Sequence, residues 1–151
     1  MDFRYEIRLA NEKDLKPMQE LLQKNNQKIS ILINESSLYL LAQSGDNIVG
    51  MIGSEISGNS ALIRSAAVLR PWRNRGIGTI LVESLLKKLK ENRITELYLF
   101  SRDSGIYWQK HGFTSCHIQE VIDRLAKVNQ VIGYVNDNSI WTDIAWHKTL
   151  D

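Results

Sequence analysis

The chain has 151 residues, 43% of them apolar and 24% charged, with a formal net charge of +2. That size suits one domain spanning residues 1–151 around one core, and basic residues nearly matched by acids, with no long run, argue against nucleic acid as a partner. No stretch approaches the roughly 18 apolar residues of a membrane span and MDFRYEIRLA has no signal-like apolar segment, so the expectation is no membrane and a cytoplasmic location.

In chain order, YEIRLA reads as a first strand. Asn11 is placed to cap a helix whose apolar positions Leu15, Met18, Leu21 and Leu22 share one face. QKNNQK breaks that pattern, and ILI after it fits either a short helix or a loop. SLYLLAQS resumes extended structure, GDN turns, IVGMIGSEIS returns at hairpin spacing, GNS turns again and ALIRSAAV follows, so residues 38–68 read as an antiparallel meander. From Gly76 to about Asn92, Ile77, Ile80, Leu81, Leu85 and Leu89 recur at helical spacing. ELYLF is a short buried strand beyond it, and strand, crossover helix and strand make a parallel pair. SGIYWQKHG reads as a short helix closed by Gly112, and SIWTDIAWHKTL as a terminal strand. The single cysteine, Cys116, excludes an internal disulfide. With no Cys/His spacing beside it, Cys116 reads as a small apolar filler, and no metal is expected.

The segment RPWRNRGIGTI, residues 70–80, places three arginines and two glycines where a strand turns into a helix. A helix N-terminus leaves amide protons unpaired and carries partial positive charge, so anions bind there. Glycine at 76 and 78 permits close backbone approach and φ values that side chains forbid, while Arg70, Arg73 and Arg75 add full charges. One reading is a phosphate or pyrophosphate site; the other is a tight turn with solvated arginines. The P-loop and dinucleotide patterns both fail, since no Lys-Ser/Thr follows the glycines and Leu81 stands where a third glycine belongs.

A second segment, SGIYWQKHGF at 104–113, changes the balance. Together with AAVLRPWRNRGIGTILVESLL, it resembles the GNAT superfamily of N-acetyltransferases, whose acyl-CoA loop reads R/Q-x-x-G-x-G/A and whose later segment reads A-x-x-F-Y-x-K-x-G-F. The likeness covers residues 4 to about 117 in element order. It implies an α/β (α+β) fold with a mixed, mostly antiparallel sheet, a central parallel pair and flanking helices. It also implies acetyl-CoA as co-substrate: Arg73, Gly76 and Gly78 fall on the loop pattern, with the amides of Asn74, Arg75, Gly76, Ile77, Gly78 and Thr79 around the phosphates. Ala67 and Val68 match the strand that pairs with pantetheine, and Ser101 takes the place of an Asn near the cofactor. The partners it implies are a small-molecule amine and, with oligomeric state open, a second copy in a homodimer.

Two departures bear on catalysis. The family's tyrosine acid corresponds to Trp108, with Tyr107 one residue earlier and so about 100° around the helix; Tyr107 is either the acid or a core residue. A thiol with a pKa of about 8.5 leaves tolerably as thiolate, which lowers the demand for an acid. The family's glutamate base corresponds to Leu62. Arg64, two residues on, shares its face and suits a carboxylate in bidentate fashion, which points to an amino acid or similar amine as substrate. If Gly58 and Asn59 form a two-residue hairpin, Glu55 lies across from Leu62 and replaces the base through a water. The alternative makes Arg64 an outward, solvated strand residue with Glu55 its cross-strand neighbour. His111, His117 and His147 are bases by type but read as surface or edge residues rather than catalysts, and Trp141 and Trp146 read as core packing residues, the alternative being a lid over the substrate.

Overall fold

A computed structural model describes residues 2–25, 27, 31 and 33–151. Seven strands form one sheet in the order β1-β2-β3-β4-β5-β7-β6: β1 is Glu6–Leu9, β2 Ser37–Ser44, β3 Asn47–Ser57, β4 Ser60–Val68, β5 Glu96–Phe100, β6 Thr114–Cys116 and β7 Ala145–Thr149. The helices are α1 Leu15–Lys24, α2 Ile77–Glu91, α3 Gly105–Lys110, α4 Ile118–Leu125 and α5 Asn129–Asn136. The expected mixed sheet is present. β1 runs antiparallel to β2, β5 and β6 antiparallel to β7, and β4 parallel to β5.

The chain divides into two compact units, Met1–Ser54 with Arg64–Lys88, and Glu55–Ile63 with Leu89–Asp151. In the first, Met18, Leu21 and Leu22 of α1 pack with Tyr39, Leu41 and Met51 of the strands. Asn11 does cap, but through an intervening 3-10 turn, Glu12–Asp14: its side chain accepts from the Lys13 amide, and the Asp14 carboxylate accepts from the Asn11 amide in return. This reciprocal pair satisfies amides that a helix start leaves without partners. Ile31 and Ile33 carry no regular structure, and Leu32 between them lies outside the described residues, as do Asn26 and Lys28 of QKNNQK. Gly53 is required by close approach, because a Cβ there would strike the Tyr39 ring. On α2 the buried positions are Ile77, Leu81, Val82, Leu85 and Leu89, whereas Ile80 is exposed. The apolar stripe is thus the i, i+4 row with Val82 beside it, and Ile80 falls off its edge.

In the second unit, Tyr98 of β5, Ala145 of β7, Val121 and Leu125 of α4, Val131 of α5 and Ile140 form the core. Helices α4 and α5 and strand β6 have no counterpart in the expected element order. The terminal strand is also shorter than expected: only Ala145–Thr149 is extended, and Ser139–Thr142 is a 3-10 turn. Gly112, at φ +88°, follows α3 as expected.

Candidate active site

In the first unit, β4 leads through a 3-10 turn at Arg70–Trp72 into α2. Asn74 and Gly76 have φ of +63° and +81°. That left-handed geometry is costly for a side chain and free for glycine. Gly78 lies inside the helix and outside the left-handed region, so only Gly76 is demanded by φ. A Cβ at Gly76 would meet nothing within 4 Å, which leaves open approach to the backbone. The first helical hydrogen bond runs from the Ile80 amide to the Gly76 carbonyl at 3.1 Å. The amides of Ile77, Gly78 and Thr79 therefore precede the helical ladder and suit an anion.

The arginines divide their work. Arg73 donates from Nε to the Val68 carbonyl at 2.9 Å and from a terminal amino group to Asn25 Oδ1 at the end of α1. It braces the loop against its own strand and helix. Arg75 lies with its guanidinium 3.2 Å from the centre of the Phe3 ring. The Val68 carbonyl is thus engaged by Arg73, and the Ala66 carbonyl by the Gln27 side chain, while Ala67 beside them is buried. Neither Asn25 nor Phe3 stood out in the sequence, because both act through contacts far apart along the chain.

Strand β4 holds two further features. Its parallel ladder with β5 covers only Ser60, Ala61 and Leu62, against Glu96, Leu97 and Tyr98, although β4 runs on to Val68. Ser65 has φ +60°, so the strand is irregular directly after Arg64. Arg64 is 8% exposed. Its reading as a solvated strand residue is therefore overturned; Glu55 is likewise buried, at 8% exposed.

In the second unit, Glu55 accepts the Asn129 amide on Oε2 at 3.1 Å, at the start of α5. A carboxylate at a helix N-terminus meets both an unpaired donor and the positive end of the helix dipole. The β3–β4 connection is the two residues Gly58 and Asn59, with Gly58 at φ +60°, as the expected register requires. Ser101 accepts the Ser104 amide on Oγ at 3.1 Å, and its carbonyl accepts Trp146 Nε1 at 2.9 Å. Tyr107 is 37% exposed and Trp108 only 7%. The 100° step thus puts Trp108, not Tyr107, in the core, where it packs edge-on against Phe113 at 5.5 Å. Tyr107, Arg102, Ser104, Gln109 and Trp146 line a depression of about 530 Å3. Trp146 is buried as expected, but Trp141 is 55% exposed and does not belong to the core.

His147 meets Glu96 at 3.0 Å across the β5–β7 pair, and His117 is exposed at the head of α4. Burial, with Glu120 nearby, pushes the Cys116 thiol up to about 11, which keeps it protonated and inert at neutral pH. Among the described residues no group of His, Cys, Asp and Glu is arranged to hold a metal, and no helix is long and apolar enough to cross a membrane.

A mixed sheet flanked by helices, with a glycine- and arginine-bearing loop between β4 and α2 whose helix-start amides suit an anion, defines an α/β domain. Residues 3–113 match the acetyltransferase (GNAT) family, and the chain belongs to it. Streptothricin acetyltransferase A of Bacillus subtilis (strain 168) is 28% identical over 109 residues, which are 69% of this chain and 63% of that relative's length. An acetyltransferase of the GNAT family from Staphylococcus aureus Mu50 shares the fold with a TM-score of 0.75 at 21% identity, over 98% of this chain and 100% of its own. N-acetylglutamate synthase from Neisseria gonorrhoeae, complexed with coenzyme A and N-acetyl-glutamate, does so with a TM-score of 0.77 at 15% identity, over 100% of this chain and 36% of its own.

Proposed function

We propose that residues 1–151 act as one N-acetyltransferase domain that moves an acetyl group from acetyl-CoA to the primary amine of a small molecule bearing a carboxylate, such as an amino acid. The observation that carries the reading is the Gly76 cradle, with its left-handed φ, its open approach and the helix-start amides behind it, within a chain whose family match spans residues 3–113. These features fit coenzyme A: the amides of Asn74 to Thr79 hold its phosphates, Arg73 keeps the loop in shape, and the Ala67–Val68 strand and Ser101 accompany the rest of it. When bound, acetyl-CoA supplies an activated acyl thioester. The acceptors of two relatives, as their names state them, are streptothricin and an amino acid, both small molecules.

The remaining roles fall to three side chains. Arg64, a buried cation on β4, attracts an anionic group on the acceptor and disfavours a purely cationic one. Glu55 takes the proton of the attacking amine through a water, while the Asn129 amide fixes its carboxylate. An α-amine, with a pKa near 8, asks less of that base than a lysine-like amine at about 10.4. Tyr107, exposed on α3, protonates the departing thiolate. Trp108 in the family's acid position favours a second reading, an acyl-CoA-binding domain without turnover.

The test is CoA thiol release from acetyl-CoA over amino acids, polyamines, aminoglycosides and peptides. Release with carboxylate-bearing amines, a KM raised about tenfold or more by Arg64→Ala, and a kcat lowered by Glu55→Gln with melting unchanged support the reading. Preference for peptides redirects it to a protein acetyltransferase. Binding of acetyl-CoA without release under any acceptor supports the non-catalytic domain.

A further inference from the structure

Phe3 lies against the loop at residues 70–76, although nothing in the loop motif calls for it. Phe3 meets Trp72 edge to face, with ring centres 5.0 Å apart and planes at 81°. The Arg75 guanidinium covers the Phe3 ring at 3.2 Å, and Arg75 Nε points to the Pro71 carbonyl at 3.4 Å. Neither contact uses the terminal amino groups. Stacking on an aromatic face holds a guanidinium in a plane while its in-plane N–H donors keep their directions. Arg73, by contrast, spends Nε and a terminal amino group on Val68 and Asn25.

We infer that Phe3 is a positioning residue for phosphate binding: backed by Trp72, its ring orients Arg75 so that the terminal amino groups of that side chain meet a phosphate of coenzyme A. The inference rests on the proposed cofactor reading. An exposed arginine on a loop otherwise samples many rotamers, and binding must then order it at an entropic cost. The platform removes part of that cost before the ligand arrives. Coenzyme A offers two kinds of phosphate, the pyrophosphate and the phosphomonoester on its ribose, and the chemistry of recognition is the same for both.

The experiment is calorimetric titration of the full chain with coenzyme A and with dephospho-coenzyme A, which lacks the monoester. Arg75→Ala is expected to weaken coenzyme A by about tenfold and to lower the salt dependence of binding, as loss of a charged contact does. Phe3→Leu, which keeps apolar bulk but removes the aromatic face, is expected to weaken it about two- to fivefold, the range of an exposed cation–π contact. Phe3→Tyr restores the affinity, and in the Arg75→Ala background Phe3→Leu has no further effect. A deficit toward both ligands assigns Arg75 to the pyrophosphate; one confined to coenzyme A assigns it to the monoester. Unchanged affinity in Phe3→Leu, a deficit that Phe3→Tyr does not restore, or an equal deficit in the Arg75→Ala background overturns the positioning role. If Phe3→Leu does not fold, Phe3→Met, which also keeps apolar bulk without an aromatic face, is compared in the parent and Arg75→Ala backgrounds and decides in the same way. Failure of the unmodified protein to bind either ligand overturns the cofactor reading and this role with it, whereas normal wild-type binding with an indifferent Phe3 overturns this role alone.

Discussion

Trp108 and Tyr107 are neighbours on α3 with opposite surroundings, and the difference decides what each substitution does. Trp108 is buried against Phe113, so Trp108→Ala leaves a large void and is expected to cost about 3–5 kcal/mol and lower Tm by about 10 °C or more. Turnover per folded molecule stays near normal. Tyr107→Phe leaves Tm unchanged; if Tyr107 is the acid, kcat falls on the order of tenfold, less than a general acid usually supplies because a thiolate leaves readily. Thermal melts read beside kcat separate the two. A collapse of turnover in a normally melting Trp108→Ala would move that residue into the active site. Tyr98 provides a second test at this scale. Burial, reinforced by the Glu120 carboxylate, pushes its hydroxyl up to about 12, from about 10 in an unfolded chain. The fold holds this proton more tightly than the unfolded state does, so the contribution is complete below pH ~10 and is lost as pH rises toward 12. Urea titrations of Tyr98→Phe from pH 8 upward are expected to show a shallower alkaline decline than the parent.

At the scale of elements, the junction of β1 and α1 is held by one ion pair that also serves as a cap. Arg8 reaches both Asp14 oxygens at 2.8 Å, and Asp14 Oδ2 also accepts the Asn11 amide. The Arg8 guanidinium, more than any other contact, holds the Asp14 carboxyl below the usual carboxylate range. A lowered folded value means stability that is present above the unfolded pKa of about 3.9 and lost as pH falls through the folded one. Asp14→Asn is therefore expected to cost about 1–3 kcal/mol at pH 7 and progressively less below pH ~4, measured by denaturant unfolding across that range. A constant deficit at every pH would show that shape rather than charge is what Asp14 supplies. The same elements explain why Arg73 is a brace: the end of α1 offers Asn25 Oδ1 and the end of β4 offers the Val68 carbonyl, so one side chain ties the glycine-bearing loop to both.

For the whole molecule, ligand binding and stability are linked. A ligand that binds only the folded state stabilises it by RT ln(1 + [L]/Kd), about 2.7 kcal/mol at a hundredfold excess over Kd. Acetyl-CoA is expected to raise Tm accordingly, and Gly76→Asp to abolish the rise, because a carboxylate reverses the local sign where the helix start attracts anions. Gly76 has φ +81°, so that variant also begins about 1–2 kcal/mol less stable; the decisive quantity is the ligand-induced shift, and an undiminished shift would remove the cofactor from this loop. The sequence by itself determined the elements whose signals are local. Apolar runs separated by the GDN and GNS turns mark β2, β3 and β4, helical spacing marks α2, and glycine beside arginine marks the loop, since each follows from a few neighbouring residues. Asn11 announced its cap for the same reason. Only the tertiary structure decided the rest. The short helices α4 and α5 owe their order to burial of Val121, Leu125 and Val131 against β5 and β7, and a helix of eight residues has too little intrinsic stability to be read in isolation. Glu55 meets Asn129 and Arg75 meets Phe3 across separations of more than seventy residues. Such pairings leave no periodic trace, because they arise when the folded chain brings distant segments to one place.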